Sequence, residues 1–530
     1  MTAPGTRPSS RPSSPAPEPV AGLAGPPLRL ASFAADLAAS RAALRADLAD
    51  PDGRVARSRR LVEAALADGR AHYGLNTGFG ALKSERIAPA DVAALQLNLV
   101  RSHAVGFGPP VPRALTRRMA ALKAHALGLG ASGVSPRVAG ALLDALDADV
   151  LPVVPEQGSL GASGDLAPLA HLALALVGEG RVWGAAGPEP AADGLRRAGL
   201  APVALGAKDG LALVNGTQFM LAYAVEVAVR ARRLATTADV VAAMTLDAMR
   251  GSLRPFDARV AAVRPHPGHA AVAANVRALL AGSEIGPSHA GCGRVQDAYS
   301  VRCVPQVHGA SRDALAYAAG AVETELGSVT DNPLVFEGEA GAPDLVSGGN
   351  FHGQPLALAL DTAAIAVAEW ASISERRTYL LVDGQDGLPP FLTAASGLQS
   401  GFMIPQYAAA ALVSENKALC HPASVDSIPS SRGQEDHVSM GAWGARKALR
   451  VVENAERVLA VEALCAAQAL DLRRPLRSGA GVEAAHAALR ARVPHRRADA
   501  AFEADLDAAA ELVSSGALAE AAEAAAGPLA

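Results

Sequence analysis

Residues 156–176, EQGSLGASGDLAPLAHLALAL, hold the side chains and glycines best suited to chemistry in this chain. Gly158, Gly161 and Gly164 permit backbone angles closed to other residues, and Asp165 is placed to cap the helix that follows. By composition alone, this is a loop that leads into a helix and could bind a phosphate at its N-terminal amides. A serine-hydrolase elbow would need glycine where Asp165 stands, and no Gly-Lys-Ser/Thr follows as in a Walker loop.

Seven other loops of unusual composition accompany this one, and their order along the chain is informative. The eight segments are YGLNTGFG (73–80), RSHAVGFG (101–108), GSLGASGDLAPLAH (158–171), LVNGTQ (213–218), VQDAYSVRCVPQVHGA (295–310), TDNPL (330–334), SGGNFHGQP (347–355) and HPASVDSIPSSRGQEDHVSMG (421–441). Together they closely resemble the aromatic amino acid lyase family, and the resemblance covers nearly everything from about Arg29 onward.

The resemblance implies a cofactor made from the chain itself. Members of this family cyclise an Ala-Ser-Gly triplet, here Ala162-Ser163-Gly164, into a 4-methylidene-imidazol-5-one. Ring closure brings the amide nitrogen of Gly164 to the carbonyl carbon of Ala162, and Ser163 then loses its hydroxyl as water. The product is an electron-poor alkene that turns a substrate amine into a better leaving group, a form of covalent catalysis. We therefore expect an ammonia-lyase that needs no metal and no pyridoxal phosphate.

Matching motif positions supply the expected catalytic residues. Tyr73 is the base for the β-proton, and because a free phenol keeps its proton at neutral pH, the site must stabilise its phenolate. Arg302 is the expected carboxylate clamp, since its planar fork can donate to both carboxylate oxygens. Asn215 and Tyr299 are expected near the electrophile and the amine, with Gln296 as a polar neighbour. Without the resemblance, Tyr73 would be an ordinary buried ring and Arg302 an ordinary ion-pair partner.

Substrate choice rests on fewer positions. Ser102-His103 is the pair typical of the histidine branch, Glu435 replaces an amide usual in the phenylalanine branch, and Met403 matches a residue lining the imidazole pocket. Phe351 matches an aromatic residue beside the electrophile, although core packing is its simpler interpretation. A phenyl ring would leave Glu435 buried without a partner, at a real cost in free energy. L-histidine, giving trans-urocanate and ammonia, is therefore the expected substrate.

Other outcomes stay open. The same cofactor serves tyrosine or phenylalanine lyases and 2,3-aminomutases, and a catalytically dead helical scaffold is a third hypothesis that the intact triplet opposes. Three features depart from the family pattern: an N-terminal tail, Gly327 at a position often held by Asn, and Arg432-Gly433 before QEDH. The last lies next to Glu435 and bears on the substrate, not on the type of reaction.

The elements that must position these loops are helices. Alanine is abundant and aromatic residues are only 4% of the 530 residues, which favours closely packed helices over strands. Residues 217–249 are apolar on most sides and predict a long buried helix. Further long helices are predicted within residues 356–377 and 444–470, the last from apolar spacing of three and four. Short ribbons are expected near TDNPLVF and near VWG at Val182. We predict a mainly α fold, a long central helix bundle with Gly-rich active-site loops, like that of the aromatic amino acid lyases.

Composition sets the remaining expectations. The net charge of −4 favours neither nucleic acid nor anionic lipid as a partner. Four scattered cysteines suggest no disulfide framework and fit a reducing cytoplasm, and the spacing of Cys292, Cys303 and His308 matches no common metal site. Apolar stretches are interrupted by polar residues before they could span a membrane. The resemblance implies a small-molecule amino acid substrate and a homotetramer whose sites are each assembled from three chains.

We divide the chain into four parts on composition and pattern. Residues 1–28 are a Pro/Ser-rich tail without the apolar region of a signal peptide and are expected to be disordered. Residues 29–220 form an N-terminal domain with the triplet loop, residues 221–480 the central bundle of long helices, and residues 481–530 C-terminal helices.

Overall fold

The structure, a computed structural model, describes residues 26–530. The predicted tail lies almost wholly outside the described residues. The helices of the described part are α1 Phe33–Ala49, α2 Arg54–Ala67, α3 Val92–His103, α4 Arg113–Gly128, α5 Pro136–Asp147, α6 Leu166–Leu176, α7 Ala191–Arg197, α8 Asp209–Val214, α9 Gln218–Ala248, α10 Ala258–Ala262, α11 Pro267–Leu279, α12 Ile285–Ser288, α13 Tyr299–Arg302, α14 Val304–Leu326, α15 Gln354–Val382, α16 Met403–Leu419, α17 Gly441–Asp471, α18 Ala480–Arg490, α19 Glu503–Ser515 and α20 Ala517–Ala526.

Strands are few and short in the described part of the chain. They are β1 Phe107–Pro110, β2 Pro155–Gln157, β3 Arg181–Gly184, β4 Gly187–Pro190, β5 Leu334–Glu337 and β6 Pro343–Val346, paired as three antiparallel ribbons β1–β2, β3–β4 and β5–β6. Two of these ribbons lie where the TDNPLVF and VWG segments predicted them. The mainly α fold is confirmed.

A bundle of α9, α14, α15 and α17 forms the centre of the molecule. The helices α9 and α17 each have 31 residues, about 46 Å at 1.5 Å per residue, and α15 packs extensively against both α17 and α14. The residues of α17 at the predicted spacing are all buried: Leu449, Val452, Ala455, Leu459, Ala463, Ala466 and Leu470. Periodicity of three and four therefore identified the buried face correctly.

The helix α15 is long and apolar enough to cross a membrane by length and composition alone. Two thirds of its most apolar window is buried inside the protein, where it contacts α9, α14 and α17. Such burial is typical of a helix in the core of a folded protein, and α15 is one of the central helices of the bundle.

Candidate active site

The triplet lies in a tight turn between β2 and α6. Ser163 and Gly164 both have positive φ, 53° and 75°, and the Gly164 N–H donates to the carbonyl oxygen of Gly161 at 3.3 Å. A Cβ atom on Gly164 would lie 2.2 Å from the carbonyl oxygen of Gly216. Only glycine fits there, and a serine held at positive φ stores strain of the kind found at functional sites.

The next layer behind the triplet is the segment Asn215-Gly216. The Gly216 N–H donates to the carbonyl oxygen of Ser163 at 3.3 Å, and the Gly216 carbonyl accepts from the N–H of Asp165 at 2.7 Å. Gly164 and Gly216 form an isolated parallel bridge. The backbone of the triplet is therefore held on one side by a segment about fifty residues further along the chain.

Asp165 caps a different helix from the one expected. It occupies the N-cap position of α6 but makes no capping bond there, because its Oδ2 accepts from the N–H of Met220 at 2.9 Å in the first turn of α9. The side chain is fully buried. Burial raises its pKa to about 8, against the opposing effect of the donated N–H groups of Met220 and Phe219.

The side-chain amide of Asn215 forms hydrogen bonds through its nitrogen, whereas its oxygen is unpartnered within the described residues. Its Nδ2 donates to Oδ1 of Asp331 and to the carbonyl oxygen of Asn332, both at 3.2 Å. Asp331 in turn pairs with the buried Lys208 at 2.8 Å. The Oδ1 atom of Asn215 is buried and has no hydrogen-bond partner within residues 26–530. An unpaired buried acceptor is costly unless a ligand satisfies it.

A cavity of about 430 Å³ opens in front of the triplet. Six of the twelve predicted site residues line it, namely Tyr73, Ala162, Ser163, Asn215, Phe351 and Glu435. Gly164 lies in the same turn, immediately after Ser163. The structure thus brings the predicted base, electrophile and ring neighbours to one enclosure of the size that small ligands occupy.

The phenolic oxygen of Tyr73 accepts a hydrogen bond from the backbone N–H of Gly80 at 3.3 Å. This bond holds the phenolic oxygen of a residue that lines the cavity. Glu435 lies across the same loop, since a Cβ atom on Gly80 would be 3.2 Å from its Oε1. The Oε2 atom of Glu435 is buried with no hydrogen-bond partner in the described chain, so the cavity holds an acceptor available to a ligand.

The other predicted site residues do not line this cavity within one chain. Gln296 and Arg302 line a separate cavity of about 1060 Å³. The Arg302 guanidinium lies 4.5 Å from the ring centre of Tyr299, and that ring is 71% exposed. Met403 begins α16.

His103 ends α3, where its Nδ1–H donates to the carbonyl oxygen of Leu99 at 2.8 Å, which leaves Nε2 as the acceptor. Burial lowers the pKa of His103, which favours the neutral ring.

Further residues line the triplet cavity that the sequence did not single out. They include Lys83, Asn332, Ser347, His352, Gln434, Asp436 and His437. The rings of His352 and His437 are parallel within 5°, with centres 5.7 Å apart. Most lie inside or next to motifs quoted above, but a motif does not indicate which of its members face a cavity. Within residues 26–530, no group of three or more His, Cys, Asp or Glu side chains is arranged to hold a metal ion.

The sequence is also similar to those of known proteins. The sequence model for the family "Aromatic amino acid lyase" matches residues 33–491. A histidine ammonia-lyase of Sorangium cellulosum is 56% identical over 514 residues, which are 96% of this chain and 100% of that protein. One from Anaeromyxobacter sp. (strain K) is 56% identical over 88% of this chain and 93% of its own length.

Solved structures agree on the fold. Histidine ammonia-lyase from Trypanosoma cruzi superimposes with a TM-score of 0.82 at 44% identity, covering 89% of each chain. Tyrosine aminomutase from Streptomyces globisporus superimposes with a TM-score of 0.83 at 36% identity, covering 92% of this chain and 96% of its own. The family match, the near full-length relatives and the strained triplet turn lead to one conclusion: this chain belongs to the aromatic amino acid lyase family.

Proposed function

We propose that the protein is a histidine ammonia-lyase, which eliminates ammonia from L-histidine and releases trans-urocanate. The observation that carries the proposal is the 430 Å³ cavity, where the strained triplet turn faces Tyr73 and the unpartnered carboxylate of Glu435. Relatives named histidine ammonia-lyase, 50–56% identical over most of the chain, support the choice of substrate.

The residues at 162–164 fit the implied cofactor. A bond from the Gly164 nitrogen to the Ala162 carbonyl carbon needs a tight turn with positive φ, and the turn has that conformation before any reaction. Only glycine fits at position 164, because the Gly216 carbonyl oxygen is so close. The methylidene-imidazolone, once formed with loss of two waters, supplies the electrophile that accepts the substrate amine.

Around the triplet, the chain's own side chains have separate tasks. Tyr73 removes the β-proton, and the Gly80 N–H stabilises the phenolate that accepts it. Asn215 Oδ1 accepts a hydrogen bond from the substrate amine, which satisfies that buried acceptor. Phe351 lies beside the triplet and helps exclude water from the cavity.

Ring recognition falls to Glu435, His103 and Met403. A carboxylate accepts from an imidazole N–H, whereas a phenyl ring would leave the buried Oε2 of Glu435 unpaired. Neutral His103, with its Nδ1–H committed to Leu99, keeps an acceptor nitrogen for the substrate ring. Met403 provides an apolar wall.

The carboxylate clamp comes from a second chain in this proposal. Arg302, Gln296 and Tyr299 lie outside the triplet cavity of their own chain, and Tyr299 exposes most of its ring. Leu358, Ile365 and Tyr379 are each more than 40% exposed on the outer face of α15. Large apolar side chains exposed on the central bundle indicate a surface that a symmetric partner covers. We infer a homotetramer with shared sites, located in the cytoplasm.

The division at residues 28, 220 and 480 is likewise a proposal. It places the triplet loop in the N-terminal part and the long helices α9, α14, α15 and α17 in the central part.

Incubation with L-histidine, followed by ultraviolet scanning for urocanate, tests the proposed function. Intact mass of the same sample should be lower than the sequence mass by two waters. Absence of urocanate together with an unmodified mass would contradict the proposal, and cinnamate or coumarate as the main product would keep the chemistry and change the substrate.

An aminomutase is the second candidate, because tyrosine aminomutase has the same fold at a similar TM-score. Its lower identity, 36% against 56% for a histidine ammonia-lyase, disfavours it. A β-amino acid as the main product, detected by chromatography, would support it.

A further inference from the structure

A buried ammonium lies behind the triplet, outside the cavity. Lys123 on α4 is 1% exposed, and its Nζ donates to the carbonyl oxygen of Asn215 at 2.5 Å. Burying a lysine costs several kcal/mol unless the charge is paired or hydrogen-bonded. The reaction described above does not use this residue.

The bond from Lys123 reaches the triplet through a single peptide group. The carbonyl oxygen of Asn215 and the N–H of Gly216 belong to the same peptide, and that N–H donates to the carbonyl oxygen of Ser163 at 3.3 Å. Hydrogen bonds in series polarise one another, and a charged donor at one end strengthens the bond at the other. The Asn215–Gly216 peptide therefore connects the Lys123 ammonium to the Ser163 carbonyl through two hydrogen bonds in series.

Two lysine ammonium groups, those of Lys123 and Lys208, lie near this peptide, and in the described part of the chain only that of Lys208 is paired with a carboxylate. Asp331 pairs with Lys208 at 2.8 Å, whereas Lys123 forms no ion pair within residues 26–530 and feels the charge of Asp331 only from a greater distance. Burial raises the pKa of Asp165 to about 8, so this neighbour is mostly protonated at neutral pH. Burial lowers the pKa of Lys123, also to about 8, so the ammonium keeps its charge at neutral pH. The Asn215 carbonyl therefore accepts its hydrogen bond from a charged donor at neutral pH.

The Ser163 carbonyl is the atom where such polarisation matters, provided that the proposed function holds. After cyclisation this carbonyl would be conjugated with the methylene, so a donor at its oxygen would stabilise the negative charge that amine addition would place there. The same polarisation acidifies the Cα–H of Ser163, which must leave as a proton when the hydroxyl departs as water. Donors aimed at developing charge in a buried site lower the barrier.

We propose that Lys123 is a positioning residue that acts on the electrophile through the Asn215–Gly216 peptide. It holds this peptide in place and directs its polarised N–H at the Ser163 carbonyl oxygen. Lys123 does not touch the substrate, so its loss should change kcat and leave KM nearly unaltered.

Three variants separate charge from packing. Lys123→Met keeps the length without a donor, Lys123→Gln keeps a neutral donor, and Lys123→Arg keeps the charge. The matched control is Lys447→Met, since Lys447 is also 1% exposed, donates to the His421 carbonyl and pairs with Asp361 at 2.6 Å, but lies on α17 and does not line the cavity.

Each full-length variant is measured for melting temperature, intact mass, near-ultraviolet absorbance, kcat and KM. For Lys123→Met we expect kcat per cyclised site to fall about 10-fold, which is less than the loss of about 10²–10³ that follows removal of a direct oxyanion donor. KM should stay within about two-fold of wild type. The absorbance band of the cyclised triplet should move to shorter wavelength. Lys123→Arg should recover most of the kcat and Lys123→Gln little, while Lys447→Met should lose stability only.

A Lys123→Met protein that has not lost two waters, with the loss restored in Lys123→Arg, would support the same polarisation acting earlier, on dehydration. Wild-type kcat per cyclised site and an unshifted band in Lys123→Met would overturn the proposal, and so would full activity in Lys123→Gln. If Lys123→Met does not fold, Lys123→Gln and Lys123→Arg decide the question. Wild type without mass loss and without urocanate would refute the proposed function instead, so the two failures are distinguishable.

Discussion

The triplet cavity and the segment from Arg294 to Arg302 are built in opposite ways. Around the triplet, the backbone and the side chains of Asn215 and Asp165 form hydrogen bonds within the chain, to Gly216, Asp331 and Met220. In the other segment Val295 is 94% exposed and Tyr299 71% exposed. Under the proposed function, electrophile formation therefore needs only one chain, whereas the residues proposed to bind the substrate carboxylate are presented outward. The difference is the strongest structural reason to expect shared sites.

The largest effect should come from the triplet. Ser163→Ala should fold and assemble normally but lose activity by at least about 10³-fold, because no dehydration can produce the methylene. Intact mass should show no loss of two waters. Ser159→Ala is the control, since Ser159 only donates to the Gly164 carbonyl at 3.4 Å and should keep most activity. Wild-type turnover by Ser163→Ala would contradict the cofactor.

Glu435 tests the recognition side of the same cavity. Glu435→Gln should reduce kcat/KM for L-histidine about 100-fold, because a charged acceptor contributes more to a hydrogen bond than an amide does. The trace activity on L-phenylalanine should be unchanged or higher, and the mass of the triplet should stay that of the cyclised form. Replacing Ser102-His103 with an apolar pair should likewise admit L-phenylalanine weakly. An equal loss on both substrates in Glu435→Gln would remove Glu435 from ring recognition.

The exposed segment is tested by Arg302→Lys. Charge is kept but the two-pronged fork is lost, so kcat/KM should fall about 10-fold while the mass of the triplet stays that of the cyclised form. Arg254→Lys, in the same 1060 Å³ cavity, is the matched control and should lose little. Equal activity of Arg302→Lys and wild type on L-histidine would take Arg302 out of the site.

Coexpression of a triplet variant with an Arg302 variant tests whether one site combines residues from two chains. If sites are shared, coexpressed Ser163→Ala and Arg302→Lys chains combine an intact triplet from one chain with an intact Arg302 from another in about a quarter of sites. Activity should then reach about a quarter of wild type. If each site used one chain only, the mixture would have about half the activity of Arg302→Lys alone.

The smallest effect concerns the buried carboxyl behind the triplet. The pKa of Asp165 is raised from 3.8 to about 8 by burial, so the folded state binds its proton more tightly than the unfolded state. The stability that this proton contributes is complete below pH 3.8 and is lost as the pH rises through about 8. Wild type should therefore lose melting temperature between pH 6 and pH 8, and Asp165→Asn should lose less.

Asp361→Asn is the control for that measurement, because hydrogen bonds from Lys447 and Ser424 hold the pKa of the buried Asp361 below its usual value despite burial. Its contribution does not change between pH 6 and pH 8. A wild-type melting temperature as flat as that of Asp165→Asn would show that Asp165 is ionised throughout this range.

The buried faces of the helices could be predicted because they depend on local spacing. The positions from Leu449 to Leu470 recur at three and four, and all those named above are buried in α17. The expected role of Asp165 as the cap of α6 was wrong. Its position before α6 matches a capping rule, yet its carboxyl group accepts from the first turn of α9. The reason is that the loop folds back on Asn215-Gly216 and turns the side chain toward Met220.

The sequence by itself determined the reactive triplet, the glycines its turn requires and the helical periodicity, since these depend on residue type and on neighbours within a few positions. Only the tertiary structure decided which motif residues share a cavity. It set Lys123 against the carbonyl of Asn215, 92 residues away, and left Arg302 outside the cavity that holds Ser163. Contacts of this kind depend on how long helices pack and on where side chains point once packed, and spacing along the chain encodes neither.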